Sequence, residues 1–198
     1  MTEPLIEMRR ATKRYAGVPA IEEVDFTLLK GEVHALVGEN GAGKSTLTKI
    51  MAGVVAMSSG DMLVEGRVVR PKTPVEAREL GIAMVYQENS LVPTMTVAQN
   101  LFLGQEHFFN RLRGIYIAAQ QFLQSLNFYV SPTATVSLLG AAQKQMVEIA
   151  RAVLHNAKVI IFDEPTATLT PEEKKHFFDL VVNLKKRGVS IVFISHAL

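Results

Sequence analysis

The chain has 198 residues, of which 48% are hydrophobic and 20% are charged, and its formal net charge is +2. The apolar content argues against a disordered chain, and the small charge gives no basis for a protein that wraps a polyanion. The absence of cysteine excludes disulfide scaffolds, thiolate metal sites and cysteine nucleophiles. The length predicts one globular domain, or one domain with a small insertion.

No targeting segment is predicted at the start of the chain, because residues 1–10 lack the continuous apolar core of a secretory signal. No window approaches the ~20 apolar residues of a membrane span. We therefore expect a soluble cytoplasmic domain.

The first part of the chain alternates predicted strands and helices. Residues 24–28 alternate apolar and polar side chains, as a half-exposed strand does, and residues 32–37 form a strand that runs into a glycine-rich turn. Apolar residues at helical spacing over 47–51 predict a helix, and residues 61–69 predict a hairpin. Thr73, Pro74 and Glu76 are typical of a helix start, and a strand over 82–86 follows.

The middle of the chain, residues 90–154, contains helical signals and no convincing strand. Thr96 and Gln99 form a predicted capping box. Two helical faces follow, one at positions 115, 118, 119, 122 and 126 and a stronger one at positions 146, 149, 150, 153 and 154. We expect a helical subdomain over 90–154, inserted into an α/β core formed by 1–89 and 155–198.

The core resumes with a continuous apolar strand over 159–162, which is typical of a parallel sheet covered on both faces. Thr170 and Pro171 begin the next helix, whose predicted buried face is Phe177, Leu180, Val181 and Leu184. A last buried strand spans 189–194. The chain stops shortly afterwards, and we expect a C-terminally incomplete domain.

The clearest chemical motif is Gly38–Ser45, which matches G-x-x-x-x-G-K-[ST] between a predicted strand and a predicted helix. The glycines let backbone N–H groups converge on phosphate oxygens, Lys44 reaches the terminal phosphates, and Ser45 can ligate Mg²⁺. The alternative is an ordinary glycine-rich turn. The predicted cofactor-binding residues of this segment are Gly38, Glu39, Asn40, Gly41, Ala42, Gly43, Lys44, Ser45 and Thr46.

Two acids, Asp163 and Glu164, follow the apolar strand 159–162. Neighbouring residues on a strand point to opposite sides, so the two acids are expected to have different roles. Asp163 can hold the hydration shell of Mg²⁺, and Glu164 can orient or deprotonate a water molecule. The alternative is a solvated acidic pair.

Three further candidates are His196 and Gln87, which each follow a predicted strand, and Tyr15, which precedes the first core strands. His196 follows 191–194, where an imidazole could bond a terminal phosphate. Gln87 could contact Mg²⁺ or water and report nucleotide state to the helical insertion. The ring of Tyr15 could stack on adenine, although a structural role explains this residue equally well.

Together these residues resemble the nucleotide-binding domain of ABC transporters. Gly38–Ser45 is similar to the Walker A loop, and 159–164 is similar to Walker B with its catalytic glutamate. Gln87 stands at the position of the Q-loop glutamine, and His196 stands at that of the H-loop histidine. Tyr15 matches the aromatic residue that stacks on adenine. The resemblance implies an α/β P-loop NTPase with a RecA-like parallel sheet, N-terminal antiparallel strands and an inserted helical subdomain.

A narrower resemblance, over 146–152 and 163–170, is to monosaccharide importers of the ribose, galactose and xylose type. In that group one polypeptide carries two ATPase domains, and this chain would be most of the first. The resemblance implies ATP with Mg²⁺, a second ATPase domain in a head-to-tail dimer, membrane permease subunits and, indirectly, a periplasmic sugar-binding protein. It also implies the cytoplasmic face of a bacterial inner membrane and no nucleic-acid partner.

The chain departs from the family pattern at the signature loop, which reads L-S-G-G-Q in the family. Here the aligned trans signature residues after Leu139 are Gly140, Ala141, Ala142 and Gln143, so the serine hydroxyl and both glycines are missing. Thr170 also stands where many members carry an aspartate, and a capping role accounts for it.

Two alternatives to a sugar-import ATPase stay open at this point. The chain could bind ATP but be catalytically impaired, which the altered signature favours. It could also be a soluble ABC ATPase that acts on ribosomes or DNA, although the near-neutral charge and the importer-like residues 146–152 weigh against this. A P-loop kinase would leave His196 and the helical insertion without a role.

Overall fold

The computed structural model describes residues 3–85, 90–104, 112–165 and 169–195. Its strands are β1 Pro4–Tyr15, β2 Val18–Leu29, β3 Val33–Val37, β4 Ser59–Val64, β5 Arg67–Val69, β6 Ile82–Val85, β7 Val159–Asp163 and β8 Ser190–Ser195. Its helices are α1 Lys44–Met51, α2 Pro74–Glu79, α3 Val97–Leu101, α4 Leu112–Ser125, α5 Ala141–Leu154 and α6 Pro171–Lys186. Within the described ranges, no helix is long and apolar enough to cross a membrane.

The parallel sheet has the strand order β3-β8-β7-β6. Its register pairs Val37 with Ser195 and Asp163 with Ile194, so the carboxyl ends of β3, β8 and β7 lie along one edge. β7 is buried along 159–162, as its continuous apolar run predicts. The phosphate loop, the acidic pair and the candidate His196 all follow these strands in the sequence, so they are expected at this edge.

An antiparallel sheet of order β2-β1-β4-β5 contains the predicted hairpin and a strand that we did not locate from the local pattern. β1 buries Leu5, Ile6, Met8 and Ala11. Its alternation is broken by register shifts against β2, including one between Met8 and Ala11, and a strict period of two is therefore absent from the sequence. The antiparallel N-terminal strands implied by the family resemblance are confirmed.

The threonine caps begin their helices as predicted. The backbone N–H groups of Glu76, Gln99 and Glu173 donate to the hydroxyls of Thr73, Thr96 and Thr170 at 3.2, 3.3 and 3.3 Å. The predicted face of α6 is also correct, since Phe177, Leu180, Val181 and Leu184 are all buried.

The predicted apolar face of α5 is only partly correct. The buried residues are Val147, Glu148, Ile149 and Ala150, whereas Met146, Val153 and Leu154 are half-buried. α5 packs against both α3 and β6, so its buried surface is wider than one apolar stripe. One hydrophobic cluster includes Ile149 on α5 and Phe162 on β7, so the helical segment and the sheet share a core. The boundaries 90–154 for a helical subdomain stay a prediction.

Candidate functional site

The phosphate-loop motif forms the turn between β3 and α1. Gly41 and Gly43 have φ angles of 86° and 83°, in the left-handed region that favours glycine. A Cβ atom on Gly43 would lie 2.3 Å from Cγ2 of Ile21 and 3.0 Å from the carbonyl oxygen of Ala20. Glycine is therefore required at position 43 both by the backbone angle and by the close approach of β2.

Lys44 is the first residue of α1 and is only 9% exposed. Its ammonium group donates hydrogen bonds to the carbonyl oxygens of Gly38 at 2.5 Å and Glu39 at 2.8 Å. The side chain therefore folds back over the loop and holds a positive charge against it. Gly43 caps α1 without a side chain, so no side-chain acceptor occupies the N–H groups of the first turn.

A cleft of about 400 Å³ collects most of the predicted binding residues. Its lining includes residues 40–46, that is Asn40, Gly41, Ala42, Gly43, Lys44, Ser45 and Thr46, together with Pro19, Ala20 and Glu164. Gly38 and Glu39 meet the site through their bonds to Lys44. The structure thus brings Glu164 to the same cleft as Lys44 and Ser45, although Glu164 is far from both in sequence.

The acidic pair lies at the carboxyl end of β7. Asp163 is the last residue of this strand, is half-buried, and pairs with Ile194 of β8. Glu164 follows with a φ of 48°, an uncommon angle for a residue other than glycine. The turn that begins at Glu164 places the second acid in the cleft.

Tyr15 ends β1 beside the hairpin turn and is 48% exposed. Nζ of Lys13 lies 5.0 Å from the centre of its ring, within the range of a cation–π contact. Tyr15 pairs with Val18 on β2, and Pro19 and Ala20, which follow Val18, line the cleft. Tyr15 itself is outside the cleft lining.

Gln87 and His196 lie outside the described residues. The strand that leads to Gln87, β6, ends at Val85, which pairs with Phe162 of β7. Ser195, which precedes His196, is the last residue of β8 and pairs with Val37. The roles expected for Gln87 and His196 therefore stay predictions.

The predicted trans signature residues, 140–143, form the start of α5 and do not line the phosphate-loop cleft of this chain. Gly140 is the N-cap residue, and its backbone N–H donates to Oε1 of Gln143 at 3.2 Å. Gly140, Ala141 and Gln143 are exposed, and Ala142 is half-buried. The bond holds the Gln143 side chain back against the N-cap residue, and the first turn of α5 has no side-chain cap.

A polar cluster that the sequence did not reveal joins α5 to Ser90. Oε1 of Glu148 accepts bonds from the Ser90 backbone N–H at 2.5 Å and hydroxyl at 3.0 Å, and Arg151 donates to the carbonyl and hydroxyl oxygens of Ser90. Glu148 is 3% exposed, and burial raises the pKa of its carboxyl group against these contacts. The available sequence signal for this cluster was an acidic residue, Glu148, among the apolar residues at positions 147, 149 and 150.

The same cluster borders a cavity of about 300 Å³ that also includes Arg78 and His155. Burial lowers the pKa values of Arg151 and His155. Oε2 of Glu148 and Nε2 of His155 are buried without a hydrogen-bond partner within the described ranges. This cavity is distinct from the cleft that contains the phosphate loop.

Comparison with known proteins places this site in a family. A model of the family described as ABC transporter matches residues 21–167. The chain is 50% identical over 98% of its length to the ribose import ATP-binding protein RbsA 1 of Rubrobacter xylanophilus. It is 42% identical over its full length to the xylose import ATP-binding protein XylG of Thermoanaerobacter pseudethanolicus, and it spans 40% of each of these relatives.

The solved structures agree with this result. The ADP conformation of an ATP-binding cassette of an ABC transporter matches with a TM-score of 0.86 and 27% identity, over 100% of this chain and 83% of that one. The cbiO1 protein of Clostridium perfringens, part of the transporter complex cbiONQ, matches with a TM-score of 0.84 and 26% identity, over 98% of this chain and 79% of that one. Because the family model covers most of the chain and the fold is that of these cassettes, the chain belongs to the ABC transporter family.

Proposed function

We propose that this chain binds ATP with Mg²⁺, hydrolyses it, and thereby energises sugar import through an ABC transporter. The observation that carries the proposal is that the phosphate loop and Glu164 line one cleft. The choice of sugar import is supported by the names of the relatives, which are ribose and xylose import ATP-binding proteins. The selected sugar depends on partners outside this chain.

Lys44 would hold the terminal phosphates of ATP. Its ammonium group now bonds two loop carbonyl oxygens, and a nucleotide phosphate would offer a stronger, charged acceptor at the same place. The uncapped first turn of α1 adds N–H donors and the positive end of the helix dipole. Tyr15, beside the hairpin, would stack on the adenine.

Mg²⁺ would be held by the hydroxyl of Ser45, the carboxylate of Asp163 and, in our proposal, Gln87. Oxygen donors of this kind suit Mg²⁺, which keeps several waters and takes further ligands from nucleotide phosphates. Among the described residues, no group of three or more His, Asp or Glu side chains could hold a metal ion without such ligands. The bound ion would neutralise charge on the phosphates.

Glu164 would orient and deprotonate the attacking water, and His196 would contact the terminal phosphate. The position of Glu164 in the cleft supports the first role. Since the signature residues 140–143 do not line this cleft, a second ATPase domain would supply its own signature to this chain's ATP in a head-to-tail dimer.

The partners we propose are membrane permease subunits at the cytoplasmic face of a bacterial inner membrane, with a periplasmic sugar-binding protein acting through them. No nucleic acid is part of the proposal. A second candidate function, ATP binding with impaired catalysis, is favoured by Gly140, Ala141 and Ala142, which replace the serine and glycines of the family signature.

The test is ATP-driven sugar uptake by the full-length protein reconstituted with its permease. Glu164→Gln should retain ATP binding and lower ATP hydrolysis by ~10²–10⁴-fold, the usual effect of losing a positioned base. Glu172→Gln, an exposed acid on α6, is the matched control and should hydrolyse ATP at the wild-type rate. Wild-type hydrolysis by the Glu164 variant would contradict the proposed role. Recovery of the protein with RNA or DNA instead of membranes would favour a non-transport ATPase.

A further inference from the structure

α5 contacts the loop of the acidic pair, as well as carrying the signature residues. The side-chain amide of Gln145 donates a hydrogen bond to the carbonyl oxygen of Pro165, with 3.3 Å between Nε2 and O. Pro165 directly follows Glu164, which lines the phosphate-loop cleft. Gln145 is half-buried, so this bond is partly shielded from competing water.

The backbone at Glu164 requires support from its surroundings. Its φ of 48° lies in the left-handed region, where the Cβ atom of an L-residue crowds the following carbonyl oxygen. Such a conformation persists only when the neighbouring structure holds the chain in place. On the strand side this support is the pairing of Asp163 with Ile194.

On the other side of Glu164, the chain continues into a proline. Pro165 has no backbone N–H, so its carbonyl oxygen is the backbone polar group by which a hydrogen bond can hold it. Gln145 donates to this oxygen. The strained residue thus lies between a strand ladder and a side-chain bond from α5.

We propose that Gln145 is a positioning residue, which holds the Pro165 carbonyl and thereby sets the direction of the Glu164 carboxylate in the cleft. The inference rests on the proposed function, in which Glu164 acts on the attacking water. It also gives α5 a second role. The helix whose first turn would meet the nucleotide of an opposing domain is bonded, through Gln145, to the acid that serves this chain's own nucleotide.

The test compares substitutions of Gln145 in the full-length protein. Gln145→Met keeps the length of the side chain and removes the donor. We expect kcat for ATP hydrolysis to fall roughly 2- to 10-fold, the effect of one neutral hydrogen bond, with an unchanged Kd for ATP. Gln145→Arg places an N–H at the same number of bonds from the backbone and should recover most of kcat. Gln124→Met, an exposed glutamine on α4, should behave as wild type.

The same substitution in a Glu164→Gln background separates positioning from packing. If Gln145 acts through Glu164, Gln145→Met should cause no further loss of single-turnover hydrolysis in that background. An equal loss in both backgrounds, a weakened Kd that accounts for the loss, or a wild-type kcat for Gln145→Met would overturn the inference alone. A wild-type kcat for Glu164→Gln would instead overturn the proposed function, and the inference with it.

Discussion

Two helices of this protein, α1 and α5, begin after a glycine N-cap, and they differ in the backbone angle of that glycine and in the surroundings of the first turn. Gly43 precedes α1 with a φ of 83° and packs against Ile21. Gly140 precedes α5 with a φ of −67°, and a Cβ atom at this position would have no neighbour within 4 Å. The first turn of α1 lies in a cleft, and the first turn of α5 is largely exposed.

The first lysine of each helix shows the same contrast. Lys44 is buried, and its ammonium group folds back onto the phosphate loop, while Lys144 is half-buried one turn into α5. At the start of α5, the side chain of Gln143 folds back instead, and its Oε1 accepts from the backbone N–H of Gly140. Both helices have the positive end of a helix dipole at their N-terminus. The surrounding loop and cleft are therefore what make α1 suited to binding an anion.

Removing the lysine from each helix should separate the two helix starts most strongly. Lys44→Ala should weaken ATP binding by at least ~100-fold, because bonds to two phosphates are lost and each charge-assisted bond contributes about 1.5–3 kcal/mol. The measurement is titration with a fluorescent ATP analogue, with circular dichroism as the control for folding. Lys144→Ala should bind the analogue as wild type does. Equal affinities for all three proteins would refute the phosphate-loop assignment.

Restoring the family signature tests the other helix. With Gly140→Ser, Ala141→Gly and Ala142→Gly combined, we expect the chain to activate ATP bound to a partner domain ~10–150-fold better, because a lost bond to a charged group is regained in the transition state. ATPase activity should be measured with and without a partner domain that has an intact signature. The unmodified isolated chain should be nearly inactive, and pairing should give one active composite site, which uses Lys44 and Glu164. Full turnover by the unmodified isolated chain, unaffected by the triple substitution, would contradict this expectation.

Adding one methyl group to each capping glycine measures the backbone difference. Gly43→Ala should lower the free energy of unfolding by at least ~2 kcal/mol, because the new Cβ atom would collide with Ile21 at a strained φ angle. Gly140→Ala should cost less than ~1 kcal/mol, the usual range for an N-cap change without a steric clash. Urea unfolding of both variants gives the two values. Equal destabilisation would mean that the close approach of β2 is unimportant.

The smallest expected effect concerns Glu148, in the buried middle of α5. Burial raises the pKa of Glu148 in the folded state, so the folded protein binds this proton more tightly than the unfolded chain does. The wild type should therefore gain stability relative to Glu148→Gln as the pH falls through the folded-state pKa of Glu148, and lose that advantage as the pH rises through it. His155 is present in both proteins, so its titration cancels from the difference. A difference in unfolding free energy that does not change with pH would contradict the prediction.

The sequence was sufficient for the elements with local signals and insufficient where packing overrides them. Thr73, Thr96 and Thr170 each began a helix because a cap is a contact between residues three apart. β1 escaped detection because its register shifts interrupt the alternation of apolar residues. Gln145 and Glu148 also escaped, because each derives its role from a partner distant in sequence, Pro165 and Ser90.

By itself, the sequence determined the phosphate-loop turn, the apolar strand 159–162 and the family to which the chain is similar, since these depend on neighbouring residues and their spacing. Only the tertiary structure decided that Glu164 enters the cleft of Lys44 and Ser45 and that α5 presents its first turn away from that cleft. The parallel register of β3, β8 and β7 aligns the carboxyl end of β3 with those of β7 and β8, whose residues lie more than a hundred positions later in the chain. Contacts of that range depend on the packing of the whole sheet, and no local pattern encodes them.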